Sequence, residues 1–182
     1  TVLITDIRGY TALTEELGAT EVVALLNEYF SILVDAVLEQ GGVIDKFMGD
    51  ALLAWFGAPV PQSDHRERAV KTAIAVLERS AQWNAEREKK GLRAVATGVG
   101  LAAGEVVVGN IGSERRLEYT AIGDAVNLSS RLCGEAEAGE ILATADVAAV
   151  DDRFECGGKI VVKGVKEPVA VHRIRIAVTT PG

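Results

Sequence analysis

The sequence is short of positive charge. Its 182 residues carry 19 Lys and Arg against 26 Asp and Glu, a net charge of -7. Nucleic acids and anionic membranes both demand a basic face, so neither is an expected partner. A polyphosphate would need divalent cations to mediate its charge. Cysteine is scarce too: Cys133 and Cys156 stand in no CxxC or metal-ligand spacing. They read as reduced thiols of a cytoplasmic protein, with a bridge between them as the alternative. No apolar run approaches the ~18 residues that span a bilayer, and no charged-then-apolar leader opens the chain. There is no internal repeat, low-complexity tract or linker. What remains is a 48% apolar composition and a length that supports one domain with a real core. Thr1 already lies in strand-like sequence with no Met before it, so residues 1–182 are expected to be a single domain excised from a longer protein.

TVLITDI reads as a buried strand ending at Asp6. Gly9 breaks it, and Thr11 or Thr14 is expected to cap a helix running to about Gln40, with Leu13, Leu17, Leu25, Leu26, Tyr29, Leu33 and Val37 on one face. Gly41 and Gly42 stop it. Strands at Val43–Phe47 and Leu52–Phe56 flank a Gly49-Asp50 turn, a hairpin signature. Ser63 or Asp64 is expected to cap a second helix reaching Lys90. Strands follow at Ala94–Leu101, Glu105–Ile111 and Leu117–Ile122. Asp124 is expected to cap a third helix, Ala125–Leu132. The end of the chain reads as a strand (Glu140–Ala143), a short helix (Asp146–Val150) and two strands (Phe154–Val162 and Pro168–Ile176). The order β-α-β-β-α-β, with an added C-terminal helix and strands, is the ferredoxin-like split βαβ pattern of an α+β fold.

Two aspartates carry the chemistry. Asp6 and Asp50 each sit where a strand meets a Gly-containing turn in apolar sequence, where a carboxylate either costs desolvation energy or binds a cation. Two such groups converging in space are what two-metal phosphoryl transfer requires. The competing reading makes Asp6 the ion-pair partner of Arg8 and Asp50 an ordinary turn residue. Backbone N–H groups from Arg8 through Gly9 and Tyr10 to Thr11 stand at the positive end of a helix and could hold phosphate oxygens. Lys46, four residues before Asp50, falls on the same face if the pairing is regular. Asn127 and Arg131, at i and i+4, point the same way, and a guanidinium fork suits a phosphoryl group gaining charge. Taken singly, Asn127, Arg115, Arg116 and Lys163 read as solvated surface. His65 and His172 are too isolated for a metal pair or triad, and GVGLAAGEVVVG precedes a strand, which excludes a P-loop or a dinucleotide fingerprint.

TDIRGYT, DKFMGDALLAWFG, GEVVVGNIGSERRLEYTAIGDAVNLSSRL and the VKG at Val162–Gly164 together resemble the class III nucleotidyl cyclases, specifically the bacterial adenylyl cyclase homology domain. The resemblance implies the class III cyclase architecture and conversion of ATP to 3′,5′-cyclic AMP and pyrophosphate. It implies that Asp6, Asp50 and the Ile7 carbonyl hold two divalent cations, Mg²⁺ or Mn²⁺. Lys46 and Thr120 would face adenine, Asn127 and Arg131 would stabilise the transition state, and Arg115 and Lys163 would contact the triphosphate. It further implies two composite sites across a head-to-tail homodimer, with Asp6, Asp50 and Arg115 from one chain and Lys46, Thr120, Asn127, Arg131 and Lys163 from the other.

Base choice follows from donors and acceptors. Lys46 only donates and Thr120 can accept, matching adenine's ring nitrogen and exocyclic amine. Many members carry Asp at the Thr120 position, and this departure weakens the rejection of guanine. The Thr variant resembles a subgroup in which bicarbonate stimulation is known. The rival readings are a guanylyl or mixed-specificity cyclase and a catalytically silent nucleotide-binding module. A diguanylate cyclase relative lacks its GGDEF-like signature here.

Overall fold

A computed structural model describes residues 1–161 and 168–176. Nine strands and five helices follow one another as β1 (Val2–Ile7), α1 (Tyr10–Glu16), α2 (Ala19–Glu39), β2 (Val43–Met48), β3 (Ala51–Trp55), α3 (His65–Lys89), β4 (Thr97–Ala102), β5 (Val107–Ser113), β6 (Arg116–Ile122), α4 (Asp124–Glu135), β7 (Glu140–Thr144), α5 (Ala145–Ala148), β8 (Glu155–Ile160) and β9 (Val169–Arg175).

Seven strands form one sheet in the order β2-β3-β1-β4-β7-β9-β8, and β5 and β6 form a separate two-stranded ribbon. The first four strands, β2-β3-β1-β4, have the split βαβ arrangement expected from sequence. β1 is central and antiparallel to both neighbours, while β4 and β7 run parallel. Because side chains alternate across a sheet, Leu3 and Ile7 pack toward α2 and α3 with Tyr29, Leu33, Val70 and Leu77, whereas Val2 and Ile4 pack on the other face with Trp55, Ala125 and Cys133. Asp6 therefore shares the parity of the α4 face. At Gly100 α4 lies almost on the strand: a Cβ there would stand 2.2 Å from the Ser129 carbonyl oxygen, and the Ser129 hydroxyl donates to Gly100 O at 2.8 Å.

Several local expectations are corrected. The single helix expected up to Gln40 is two, because Leu17 and Gly18 are both extended. Glu21 starts the second one by accepting the Gly18 N–H at 2.9 Å, half of a capping box in which glycine has no side chain to return the bond. Neither Thr11 nor Thr14 caps α1. Gly9 holds that position at φ 71, a left-handed conformation only glycine adopts freely, and the Thr14 hydroxyl donates to Thr11 O. Asp64 precedes α3 but its carboxylate takes Arg68 Nε at 2.7 Å instead of a helix N–H. Asp124 is the first residue of α4, not its cap. Both cysteines are free, Cys133 buried and Cys156 exposed. No helix among the described residues is long and apolar enough to cross a membrane.

Candidate active site

The end of β1 and the β2–β3 turn meet in a cavity of about 320 Å³ lined by Asp6, Ile7, Arg8, Gly9, Tyr10, Thr11 and Asp50. The turn is fastened to the strand by Ile7 N–H, which donates to Asp50 Oδ2 at 3.1 Å. Burial lifts the Asp50 carboxyl to about 7, and the hydrogen bond and charge of neighbouring Asp6 push it the same way. Two carboxylates forced together at a half-buried site either share a proton or share a cation. Their hard oxygens suit Mg²⁺ or Mn²⁺. Among the described residues no third His, Cys, Asp or Glu joins them. Carbonyl, water or phosphate oxygens would complete the shell, the pattern Mg²⁺ adopts in phosphoryl-transfer sites. The donor set therefore fits the cations expected from sequence.

Arg8 is already committed here. Its N–H donates to Ala96 O, which removes it from the phosphate cradle expected between Arg8 and Thr11. Its guanidinium lies 3.1 Å from Asp6 Oδ2, so the competing sequence reading, an Asp6–Arg8 ion pair, is also present in the folded chain. The first turn of α1, at Tyr10 and Thr11, carries the N–H groups that have no intrahelical partner.

A second cavity, of about 470 Å³, is lined by Asp45, Lys46, Phe47, Arg116, Glu118 and Tyr119. It shares no lining residue with the first. Lys46 lines this cavity and not the Asp50 one, while its pairing with Leu53 keeps it on the α4 side of the sheet that Asp6 shares. The register slips just before Lys46: Ile44 pairs Ala54 and Lys46 pairs Leu53, leaving Asp45 as the extra residue of a bulge. An inserted residue re-aims the side chains around it, so Asp45 and Lys46 line the same cavity. Lys46 Nζ donates to Glu118 Oε2 at 2.7 Å and stands 3.7 Å from Asp45 Oδ1. The Glu118 bond, first, holds the ammonium above its usual range. Thr120 Oγ1 donates to Asp45 Oδ2.

Asn127 and Arg131 are both exposed on α4, and among the described residues their side chains make no hydrogen bond or ion pair. Arg115 sits in the tight turn between β5 and β6, also exposed. Lys163 and the rest of Val162–Gly164 lie outside the described residues. Asp45 and Glu118 went unrecognised in the sequence. Glu118 could have been found from its two-residue spacing to Thr120, but Asp45 could not without the bulge.

A model of the adenylate and guanylate cyclase catalytic domain matches residues 1–175. The chain belongs to this family, the class III nucleotidyl cyclases. Adenylate cyclase 1 of Rhizobium meliloti (strain 1021) is 41% identical over 134 residues, which cover 74% of this chain and 20% of that protein. An uncharacterized protein of Mycobacterium tuberculosis is 38% identical over 175 residues, 92% of this chain and 30% of its own length. Among solved class III structures, the adenylyl cyclase CyaB from P. aeruginosa superposes with a TM-score of 0.90 at 35% identity, covering 100% of this chain and 95% of that one. The guanylyl cyclase Cya2 superposes at 0.87 with 39% identity, covering 95% and 89%. The class III fold expected from the motifs is thereby established, as is a nucleotidyl cyclase catalytic domain. The chain spans only about a fifth to a third of the curated relatives it matches.

Proposed function

We propose that this cyclase domain converts ATP to 3′,5′-cyclic AMP and pyrophosphate, with two divalent cations, in sites completed by a second copy of the chain. The observation that carries this reading is the separation of the two cavities. The cavities of the paired carboxylates and of the purine-matching Lys46 share no lining residue on one chain, and Asn127 and Arg131 are exposed on α4, unengaged among the described residues. Each chain thus holds two half-sites, and a head-to-tail pair makes two whole ones without an outside partner.

When bound between Asp6 and Asp50, with the Ile7 carbonyl, the cations would acidify the ribose 3′-hydroxyl and neutralise the polyphosphate. The remaining work belongs to side chains. The first turn of α1, at Gly9, Tyr10 and Thr11, presents N–H groups to phosphate oxygens, and Arg115 and Lys163 supply positive charge along the triphosphate. Lys46 donates to the ring nitrogen of adenine, and Thr120 accepts from its exocyclic amine. Asn127 orients the ribose. The 3′-oxygen then bonds to the α-phosphorus in line as the bond to the bridging oxygen of pyrophosphate breaks, and the hydroxyl proton leaves to solvent. Arg131 meets the charge growing on the α-phosphoryl oxygens.

Resemblance to the guanylyl cyclase Cya2 supports a second reading, in which GTP is the better substrate or both are used. Purified chain supplied with ATP and GTP together, with Mg²⁺ or Mn²⁺, separates the two by chromatography of the products. Cyclic AMP in excess supports the first reading and cyclic GMP in excess supports the second. No cyclic product with either cation would favour a silent nucleotide-binding module. Bicarbonate stimulation, implied by Thr120, is read in the same assay.

A further inference from the structure

The Asp45 side chain is only 1% exposed, yet it belongs to a strand at the sheet edge. Burying a carboxylate so completely is unfavourable unless its oxygens are engaged. They are: Oδ2 accepts the Thr120 hydroxyl, and Oδ1 lies 3.7 Å from the Lys46 ammonium. The β2 bulge exists at this residue and brings it to the face where β6 presents Glu118 and Thr120, two residues apart on one side of the ribbon.

We propose that Asp45 is a specificity-determining positioning residue, which fixes the Thr120 hydroxyl as an acceptor and so makes the purine cavity select adenine over guanine. This inference rests on the reading of that cavity as the base site. A hydroxyl by itself donates or accepts as the ligand requires. A carboxylate only accepts, so once Thr120 has given its one proton to Asp45, a residue of the cavity wall, its own oxygen keeps nothing but lone pairs for an incoming base. Lys46, held between Asp45 and Glu118, offers nothing but donors. Adenine presents a donating amine beside an accepting ring nitrogen and satisfies both. Guanine presents a carbonyl oxygen and a ring N–H on the same edge, opposing both. Arg116 is tied to Glu118 at 2.9 Å and leaves that pattern unchanged. Asp45 thereby gives threonine the acceptor role that a carboxylate at the Thr120 position would have by itself.

The test is the ratio of kcat/KM for ATP and GTP, measured in competition, for wild type, Asp45→Asn and Asp45→Ala. Asparagine can donate to the Thr120 oxygen and alanine leaves the hydroxyl free, so in both the ratio should fall ~10-fold or more, the effect of one buried mismatch. A parallel loss with both nucleotides, the ratio staying within about twofold, would leave Asp45 a purely structural residue and overturn the proposal. If the Asp45 variants do not fold, Thr120→Ser should keep the wild-type ratio and Thr120→Val should lose it, and equal ratios in those two would also overturn it. A wild-type chain that makes no cyclic nucleotide sinks the functional reading instead, a distinct result. A wild type that prefers GTP overturns both.

Discussion

The Arg8 guanidinium stands 3.1 Å from the Asp6 carboxylate while its other nitrogen donates to the Cys133 and Ala136 carbonyls at 3.0 and 3.2 Å. One side chain therefore ties a proposed cation ligand to the C-terminal end of the helix that bears Asn127 and Arg131. In the proposed composite arrangement those groups would serve different sites, with Arg8 as the link between the two halves of one chain. Charge-assisted bonds to carbonyls at a helix C-terminus contribute about 1.5–3 kcal/mol. Arg8→Ala should lower the melting temperature by roughly 4–8 °C. Arg8→Lys should recover only part of it, because an ammonium lacks the fork that reaches carboxylate and carbonyls together. Thermal denaturation of the three proteins measures this.

Asp50 supplies a pH dependence of defined sign. A carboxyl whose folded pKa stands above its unfolded value contributes stability that is complete below the unfolded value and lost as pH rises through the folded one. With the folded value about 7, the protein in EDTA should melt at falling temperature as pH climbs from about 4 to about 8. Asp50→Asn should flatten that slope and abolish turnover together. Mn²⁺ should restore the wild type at the alkaline end and leave the Asn variant unmoved. Melting curves in EDTA and in Mn²⁺ across that range measure both effects, and an equal slope in the variant would assign the pH effect elsewhere.

Gly100 and Gly134 make a contrasting pair around α4. A Cβ on Gly100 would lie 2.2 Å from Ser129 O and 2.3 Å from Cys133 N, backbone atoms that cannot step aside unless the helix lifts from the sheet. Gly100→Ala should cost ~3 kcal/mol or more and reduce soluble yield. A Cβ on Gly134 meets nothing within 4 Å, and alanine there should be neutral or up to about 1 kcal/mol stabilising, through helix propensity. Chemical denaturation measures each.

Arg131 is exposed and, among the described residues, unengaged, so its removal should leave the fold alone. Arg131→Ala should reduce kcat by ~100-fold or more, with KM little changed, because the contact proposed for it is to charge that develops only in the transition state. A rise in KM at constant kcat, in steady-state assays with saturating Mn²⁺, would instead make it a ground-state binding residue.

How much of this was legible beforehand depended on whether a feature is local. Asp6 stood out because a carboxylate ends an apolar strand, and the Asn127–Arg131 pair because helical periodicity survives any tertiary context. The break at Leu17–Gly18 left a usable trace in Glu21, three residues after the glycine, but the leucine stripe running through it masked the boundary. The threonine and aspartate caps failed because Gly9 and Gly123 hold the cap positions of α1 and α4, while Asp64, before α3, found another partner in Arg68. Asp45 was invisible for a deeper reason. Strict alternation sends adjacent residues to opposite faces, and only the paired strand reveals the insertion that puts Asp45 beside Lys46. The separation of the two cavities is likewise a property of the fold, whereas the roles proposed for Arg115 and Lys163 rested on family resemblance alone.

The composite site is tested most directly by co-expressing Asp50→Ala and Arg131→Ala chains and measuring cyclase activity in the mixed dimers. Random pairing places the two variants together in half of the dimers, each with one intact site, so activity should return to about a quarter of wild type from two nearly inactive parents. Activity in the mixture no greater than that of the parents, with mixed dimers demonstrably formed, would contradict a site shared between chains.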